Sequence, residues 1–237
     1  MTHPLDNPAW HALAGPQREF GRVGRLAARY LPNVSPIAAL ADESDAAFAE
    51  LASMTAPGEI AAVISERGFP ARDWEPLGRI PLRQWLHDGR AVNVDDTFEV
   101  LGAAHAADMY ALAKLADPGP FEQDTWRLGT YLGVQVDGTL VAMAGERMRL
   151  PGFAEVSAVS TRPGHEGHGY ATRLVRALVA REWAAGERPF LHVRTGSPAE
   201  HAASRVYEKL GFEVRVAFTF QLGRRRDDGV VAATFQE

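Results

Sequence analysis

Three glycines fall within Thr161-Arg162-Pro163-Gly164-His165-Glu166-Gly167-His168-Gly169-Tyr170-Ala171, where an apolar strand ends and a long amphipathic helix begins. The first N–H groups of a helix have no partner inside it, and a glycine turn ahead of it aims further N–H groups the same way. An anion is the natural guest of such a turn, a pyrophosphate above all. Two familiar phosphate loops fit it poorly. A P-loop needs Lys-Ser or Lys-Thr after its second glycine, and here Tyr170-Ala171 follows Gly169. A dinucleotide fingerprint needs a third glycine early in a series of strand–helix–strand units, whereas Thr172 stands there with only 65 residues to follow.

The elements around the turn read as follows. Phe98 to Leu101 is a short strand, and Ala103 to Leu115 is a helix stopped by Asp117-Pro118-Gly119-Pro120. Leu128 to Val136 and Leu140 to Met148 flank Asp137-Gly138, a two-residue hairpin signal, and Ala154 to Thr161 is a further strand. The helix from Gly169 to Ala185 ends at Gly186, and Pro189 to Arg194 is extended. Ser197-Pro198-Ala199-Glu200 has the form of a capping box opening a helix to Leu210, and Phe212 to Leu222 alternates as a half-buried last strand. Before residue 95, Pro36 to Ala41 and Glu59 to Ser65 read as strands around a helix from Glu43 to Met54, and prolines at 57, 70, 76 and 81 break the rest. Mixed α/β is the class this order implies. The divisions drawn are 1–95, an N-terminal α/β extension that is either a truncated half-repeat or an unrelated cap, 96–225, and a tail from 226 to 237.

Composition narrows the functions. A net charge of −5 argues against nucleic acid as the main partner. Arg224-Arg225-Arg226 is the one dense basic run and reads as a solvated terminus. Without cysteine there is no disulfide, thiolate metal site or cysteine nucleophile. His165 and His168 flank the glycine turn without a His-Glu-x-x-His pattern, so no metal is expected. No targeting segment and no 18-residue apolar run is found, so a cytoplasmic protein away from membranes is the expectation.

Residues 154 to 212 resemble the GNAT superfamily of N-acetyltransferases. Gly169 and Ala171 match the last two defined positions of that family's (Arg/Gln)-x-x-Gly-x-(Gly/Ala) motif, and Tyr207-Glu208-Lys209-Leu210-Gly211-Phe212 matches a second family motif in the right order. Pro118-Gly119-Pro120-Phe121, Ala144-Gly145-Glu146-Arg147 and Phe190-Leu191-His192-Val193 suggest a subgroup with an N-terminal extension. The resemblance implies a twisted, mostly antiparallel sheet flanked by helices, acetyl-CoA as co-substrate, and transfer of its acetyl group to an amine, here a small molecule, by direct attack. It also implies that the backbone of Val159, Ser160 and Thr161 pairs with the pantetheine arm while N–H groups of Gly167, His168, Gly169, Tyr170, Ala171 and Thr172 face the pyrophosphate. Two departures stand out: Glu166 replaces the motif's Arg or Gln, and Glu200 replaces an asparagine found in many members. They motivate an alternative, a non-catalytic acyl-CoA-binding or regulatory domain.

Amine acetylation needs a neutral nitrogen, and an alkylammonium with a pKa near ~10.4 must first lose a proton. Glu155 lies 14 residues before Gly169, the interval at which histone-type members carry their catalytic glutamate, and strand alternation puts it on a face with Ser157, Val159 and Thr161. An ion-paired structural role is the competing reading. Glu146, one strand earlier, is a second candidate, with an arginine partner as its competing fate. His192 stands where some bacterial members keep a base, though a lone strand histidine is usually structural. Tyr207 is the tyrosine that in the family commonly protonates the departing thiolate; otherwise it is a packing residue. The acceptor's identity and the oligomeric state are not legible in the chain.

Overall fold

The computed structural model describes residues 3–94, 97–196 and 200–227. A short helix α1 (Pro8–Leu13) is followed by three strands, β1 (Gly21–Val23), β2 (Ala27–Tyr30) and β3 (Ala38–Leu40), which form an antiparallel sheet of their own. Helix α2 (Asp45–Ser53), capped by the Ser44 hydroxyl on Ala47 N–H at 3.2 Å, leads to β4 (Ile60–Ile64) and the long β5 (Trp74–His87). Then come β6 (Glu99–Leu101), α3 (Ala106–Ala116), β7 (Tyr131–Val136), β8 (Thr139–Leu150), β9 (Phe153–Thr161), α4 (Tyr170–Ala184), β10 (Arg188–Arg194), α5 (Glu200–Lys209) and β11 (Phe212–Arg225). Eight strands make the main sheet in the order β4-β11-β5-β10-β9-β8-β7-β6, antiparallel throughout except for β9 beside β10. Among the described residues no helix is long and apolar enough to cross a membrane.

The second half follows the sequence closely. Asp137 and Gly138 both adopt positive φ (50° and 74°), as a type I′ hairpin requires, and Gly186 (φ 76°) lies just past the end of α4. The capping box expected at Ser197–Glu200 lies, but for Glu200, outside the described residues.

The prolines misled. Residues 74–87, expected to be broken, form a 14-residue strand between β11 and β10. Pro81 is tolerated because its carbonyl accepts from Thr195 N–H at 3.0 Å, on the flank away from β11. The missing N–H of Pro81 faces that same flank, beyond the last β10 pair at Leu82, so the proline forgoes only the return bond to Thr195 at the end of the ladder and leaves the pairing with β11 untouched. Pro76 sits where the β5–β11 register shifts. The main sheet therefore draws on both sides of residue 95, with β4 and β5 from one side and β6 to β11 from the other. The basic run is also built in rather than merely solvated: Arg224 pairs with Glu75 at 2.9 Å, and Arg225 and Arg226 donate to the carbonyls of Ala52 and Trp74.

Apolar side chains cover both faces of the sheet. Leu174, Val175, Leu178 and Val179 of α4 pack with Trp85, Val156 and Leu191 on one face. On the other, Leu5, Leu13 and Tyr30 from the N-terminal segment pack with Met148, Leu150 and Phe190. His87 locks the lower corner: its Nδ1 takes bonds from Gly89 N–H and Trp183 Nε1, both at 3.1 Å, so the ring proton sits on Nε2, 2.9 Å from the Leu210 carbonyl.

One buried group of α4 lacks partners. Glu182 is fully buried and neither carboxyl oxygen has a hydrogen-bond partner among the described residues. Burial, reinforced by Glu146 and Glu187, pushes its pKa well above the ordinary carboxylate value and holds it as the neutral acid. The stability this proton contributes is complete below the ordinary value of 4.5 and is lost as pH rises through the raised folded value. Glu182→Leu is accordingly expected to stabilise the fold by about 1–3 kcal/mol at neutral pH, with the gain widening in alkaline buffer. Chemical denaturation in acidic, neutral and alkaline buffer measures it, and a variant less stable in all three would contradict the assignment.

Candidate functional site

Strands β9 and β10 pair at only three positions, Arg188 with Phe153, Pro189 with Ala154 and Phe190 with Glu155. Beyond these the parallel strands part, leaving a cleft whose apex is Glu155 and whose walls are Val156–Thr161 and Leu191–Arg194. The register shift between β8 and β9 shows why they part: Gly145 faces Ser157 but Met143 faces Ser160, so β9 carries one extra residue. Ala158 absorbs it at φ 52°, a left-handed conformation uncommon for a residue with a Cβ, and the bulge bends β9. The same bulge breaks the alternation expected of the strand. Val159 packs with Val156 against the α4 face, whereas Glu155 points to the opposite face, so the two do not share a side as simple alternation predicts.

The glycine turn closes the top of the cleft. Arg162 N–H bonds the Val141 carbonyl at 2.7 Å and His165 N–H bonds the Arg162 carbonyl at 3.0 Å, while Gly164, Gly167 and Gly169 all take positive φ (87°, 80° and 72°). Helix α4 starts after Gly169 with no side-chain cap, and its first turn closes with Arg173 N–H on the Gly169 carbonyl at 3.1 Å. Among the described residues no carbonyl outside the helix takes up the N–H groups from Gly167 to Thr172. His168 braces the turn: its Nδ1 lies 3.1 and 3.0 Å from the His165 and Glu166 carbonyls, and its ring stacks on Tyr170 at 5.4 Å. Glu166 folds back to accept the Gly164 N–H at 2.7 Å, so its carboxylate satisfies the turn's own backbone while staying exposed. Glu200 likewise turns to local work, accepting the Gly196 N–H at 2.7 Å and pairing with Arg83 at 3.1 Å.

At the apex stands a buried charge cluster. Arg147 grips Glu155 in a two-pronged pair, Nε to Oε2 at 3.0 Å and Nη2 to Oε1 at 2.6 Å, and His192 Nδ1 lies 2.7 Å from the same Oε1. The Glu155 side chain is 1% exposed and that of His192 2%. Burial by itself would raise the Glu155 pKa, but the Arg147 charge and the His192 hydrogen bond outweigh it and hold the carboxyl at about 2. So pinned, Glu155 is a feeble base. The His192–Glu155 bond spans β10 to β9 where the strands separate. Glu146 is set apart on the α4 side, accepting Thr130 N–H at 2.9 Å and pairing with Arg149 at 3.2 Å. Tyr207, half-buried on α5, leans edge-on against Phe212 at 6.0 Å, and burial pushes its hydroxyl up to about 12.

Arg147, Gln84 and Arg215 belong to this site and have no role in the sequence reading. Arg147 was within reach, since the tight Leu150–Phe153 connection folds β8 back on β9 and brings opposite charges together. Gln84 was not, because Pro76 and Pro81 carry a local signal against the strand that holds it. Gln17 ties the N-terminal segment to the same cluster, accepting from the Tyr30 hydroxyl at 2.5 Å and donating to the Arg147 carbonyl at 2.7 Å.

The residues from 131 to 220 match the family model described as FR47-like protein. No curated protein matches the chain. Among solved structures, a GNAT-family protein from Novosphingobium aromaticivorans DSM 12444 is 38% identical, with 95% of this chain and all of that one covered at a TM-score of 0.86. A GCN5-related N-acetyltransferase from Kribbella flavida (20% identity, 90% and 95% covered, TM-score 0.56) shares the fold. So does a GCN5-related N-acetyltransferase-like protein from Streptococcus suis 89/1591 (14% identity, 92% of each covered, TM-score 0.59).

Removing Arg147 strands a buried carboxylate. Arg147→Met is expected to cost about 3–5 kcal/mol of stability at neutral pH. The deficit should shrink in acid, where the carboxylate of the variant takes up a proton. Urea titrations across pH check this, and a loss below about 1 kcal/mol would show that the pair is not structurally critical.

Proposed function

Because the chain belongs to the GNAT family of acetyltransferases, we propose that it is an N-acetyltransferase carrying acetyl from acetyl-CoA to the amine of a small molecule by direct attack. The observation that carries this reading is the parting of β9 from β10 beneath an uncapped helix start. An unpaired strand edge can accept the amide-bearing pantetheine arm as an added strand, with Val159, Ser160 and Thr161 supplying the main-chain partners. The N–H groups of Gly167, His168, Gly169, Tyr170, Ala171 and Thr172 supply donors for a pyrophosphate. The residues present thus fit the co-substrate, which when bound supplies a thioester activated toward amines.

Proton traffic falls to the chain's own groups. Glu155, held near 2 by Arg147 and His192, serves best as the anion that orients and stabilises the imidazole, and the base role passes to His192. In transfer the nitrogen of the neutral amine bonds to the acetyl carbon, the carbon–sulfur bond breaks, the surplus amine proton goes to His192 and from there to water, and the thiolate takes from the Tyr207 hydroxyl a proton that water replaces. That hydroxyl is protonated at neutral pH, as a donor to the leaving group must be, and burial, which pushes its pKa to about 12, makes it a weaker acid that gives up its proton only to the fully formed thiolate. Glu146, engaged by Thr130 and Arg149 on the other face, has no part in this scheme.

The non-catalytic reading keeps one specific support, the closed Arg147–Glu155 pair. Calorimetry with acetyl-CoA, followed by thiol release over a panel of small amines, separates the two. Binding with release for at least one amine is expected. Binding with no release for any amine would favour the non-catalytic domain, and no binding would sink both. His192→Gln is expected to lower turnover about 10²- to 10⁴-fold, and Tyr207→Phe by about tenfold or more, with acetyl-CoA affinity little changed. Full turnover in either variant removes that residue from its role.

Glu166 makes a separate prediction. Its carboxylate lies at the rim of the anion site, so Glu166→Arg is expected to tighten acetyl-CoA binding and steepen its salt dependence. Titrations at low and high ionic strength measure both, and unchanged affinity would mean that the carboxylate does not feel the bound anion.

A further inference from the structure

Gln84 lies on β5 opposite His192 and is fully buried, and its amide meets partners of fixed character. Its Oε1 accepts from Arg215 Nη1 at 2.9 Å, and a guanidinium can only donate. Its Nε2 donates to the Leu5 carbonyl at 2.9 Å, and a carbonyl can only accept. The orientation of the amide is therefore imposed from both ends. The second hydrogen on Nε2 is left for His192 Nε2, 3.1 Å away. Across the ring, Nδ1 faces the Glu155 carboxylate at 2.7 Å, which Arg147 keeps as an anion. One ring nitrogen meets a donor and the other an acceptor, and only the neutral ring with its proton on Nδ1 satisfies both.

We propose that Gln84 is a positioning residue that holds His192 as the neutral Nδ1–H tautomer, leaving Nε2 as the atom that accepts the substrate's proton. The inference rests on the reading of His192 as the base. A proton arriving at Nε2 takes the place of the Gln84 hydrogen bond and creates an imidazolium that Glu155 stabilises; passing that proton to water restores the bond. The chain of contacts does not stop at Gln84. Arg215 also pairs with Asp6, and Leu5 and Asp6 belong to the 3-10 turn Pro4–Asp6 near the start of the chain. Two hydrogen bonds of that turn thus set the state of a ring on β10. The aromatic rings of Phe190 and Phe218, at 5.7 and 5.6 Å from the imidazole, leave it little freedom to tilt out of this arrangement.

Long-range proton–nitrogen correlation spectra of the ¹⁵N-labelled full chain test this, with the His192 signals identified by their absence from His192→Gln. The wild type is expected to show a protonated Nδ1 and a bare Nε2. Gln84→Leu removes the donor that faces Nε2 while Glu155 still holds the Nδ1 proton, so it should shift the Nε2 signal toward the protonated form and lower kcat by about tenfold or more while leaving KM for acetyl-CoA within about twofold. Gln84→Glu replaces the donor with an acceptor and should bring a proton onto Nε2. A wild-type ring protonated on Nε2 overturns the proposal without any variant, so misfolding of the substituted chains cannot shelter it. A spectrum unchanged in a folded Gln84→Leu or Gln84→Glu overturns it equally. If the spectra behave as expected but His192→Gln keeps full turnover, the base reading fails while the hold of Gln84 on the ring stands.

Discussion

A carboxylate withdrawn from water survives as an anion only with partners, and Glu155 has two, Arg147 and His192. These partners come from different strands: Arg147 from β8 and His192 from β10, on either side of Glu155 on β9. The cluster therefore stitches three strands together at the level where β9 and β10 stop sharing hydrogen bonds. Below it the sheet is continuous; above it the bulge at Ala158 bends β9 and opens a cleft. An opening inside a sheet exposes backbone groups that have no ladder partner, and an extended, amide-bearing ligand is the chemical complement of such an edge.

The N-terminal segment takes part in this arrangement. Leu5 supplies a carbonyl to Gln84, Asp6 pairs with Arg215, and Gln17 bonds the backbone of Arg147. Its apolar residues cover the Glu155 face of the sheet with Met148, Leu150 and Phe190. The Glu155 face is thus held by residues from both ends of the chain, and Asp124 joins the N-terminal segment through Asn33.

Legibility varied with the range of the forces involved. Elements after residue 97 were readable because each carries its own local signals: the Asp137-Gly138 turn, Gly186 and Gly211 after helices, and a steady helical or alternating pattern. β5 was not, because Pro76 and Pro81 carry a local signal against a strand that the sheet overrules by setting Pro81 at the end of the β10 ladder, where only its carbonyl is bonded, and Pro76 at a register shift. The face of Val159 was misread because strand alternation holds only until a bulge, and nothing local to Ala158 announces one. Among the site residues, the types were readable and their states were not. Tyr207 stands out by its place in a family motif, Glu155 by its interval from Gly169 and His192 by its strand, but whether a carboxylate is free or gripped depends on a neighbour across a hairpin.

What the chain determined alone is the order of its strands and helices and the glycine turn ahead of α4, since turn residues, caps and apolar period act over a few positions. Tertiary structure decided the rest. It set β9 and β10 side by side and then apart, pinned Glu155 with Arg147, and brought Gln84 and the Leu5 carbonyl to the ring of His192. The physical reason is that charge and protonation depend on burial and on the donors and acceptors within a few ångströms, and folding alone brings those together from distant parts of the chain.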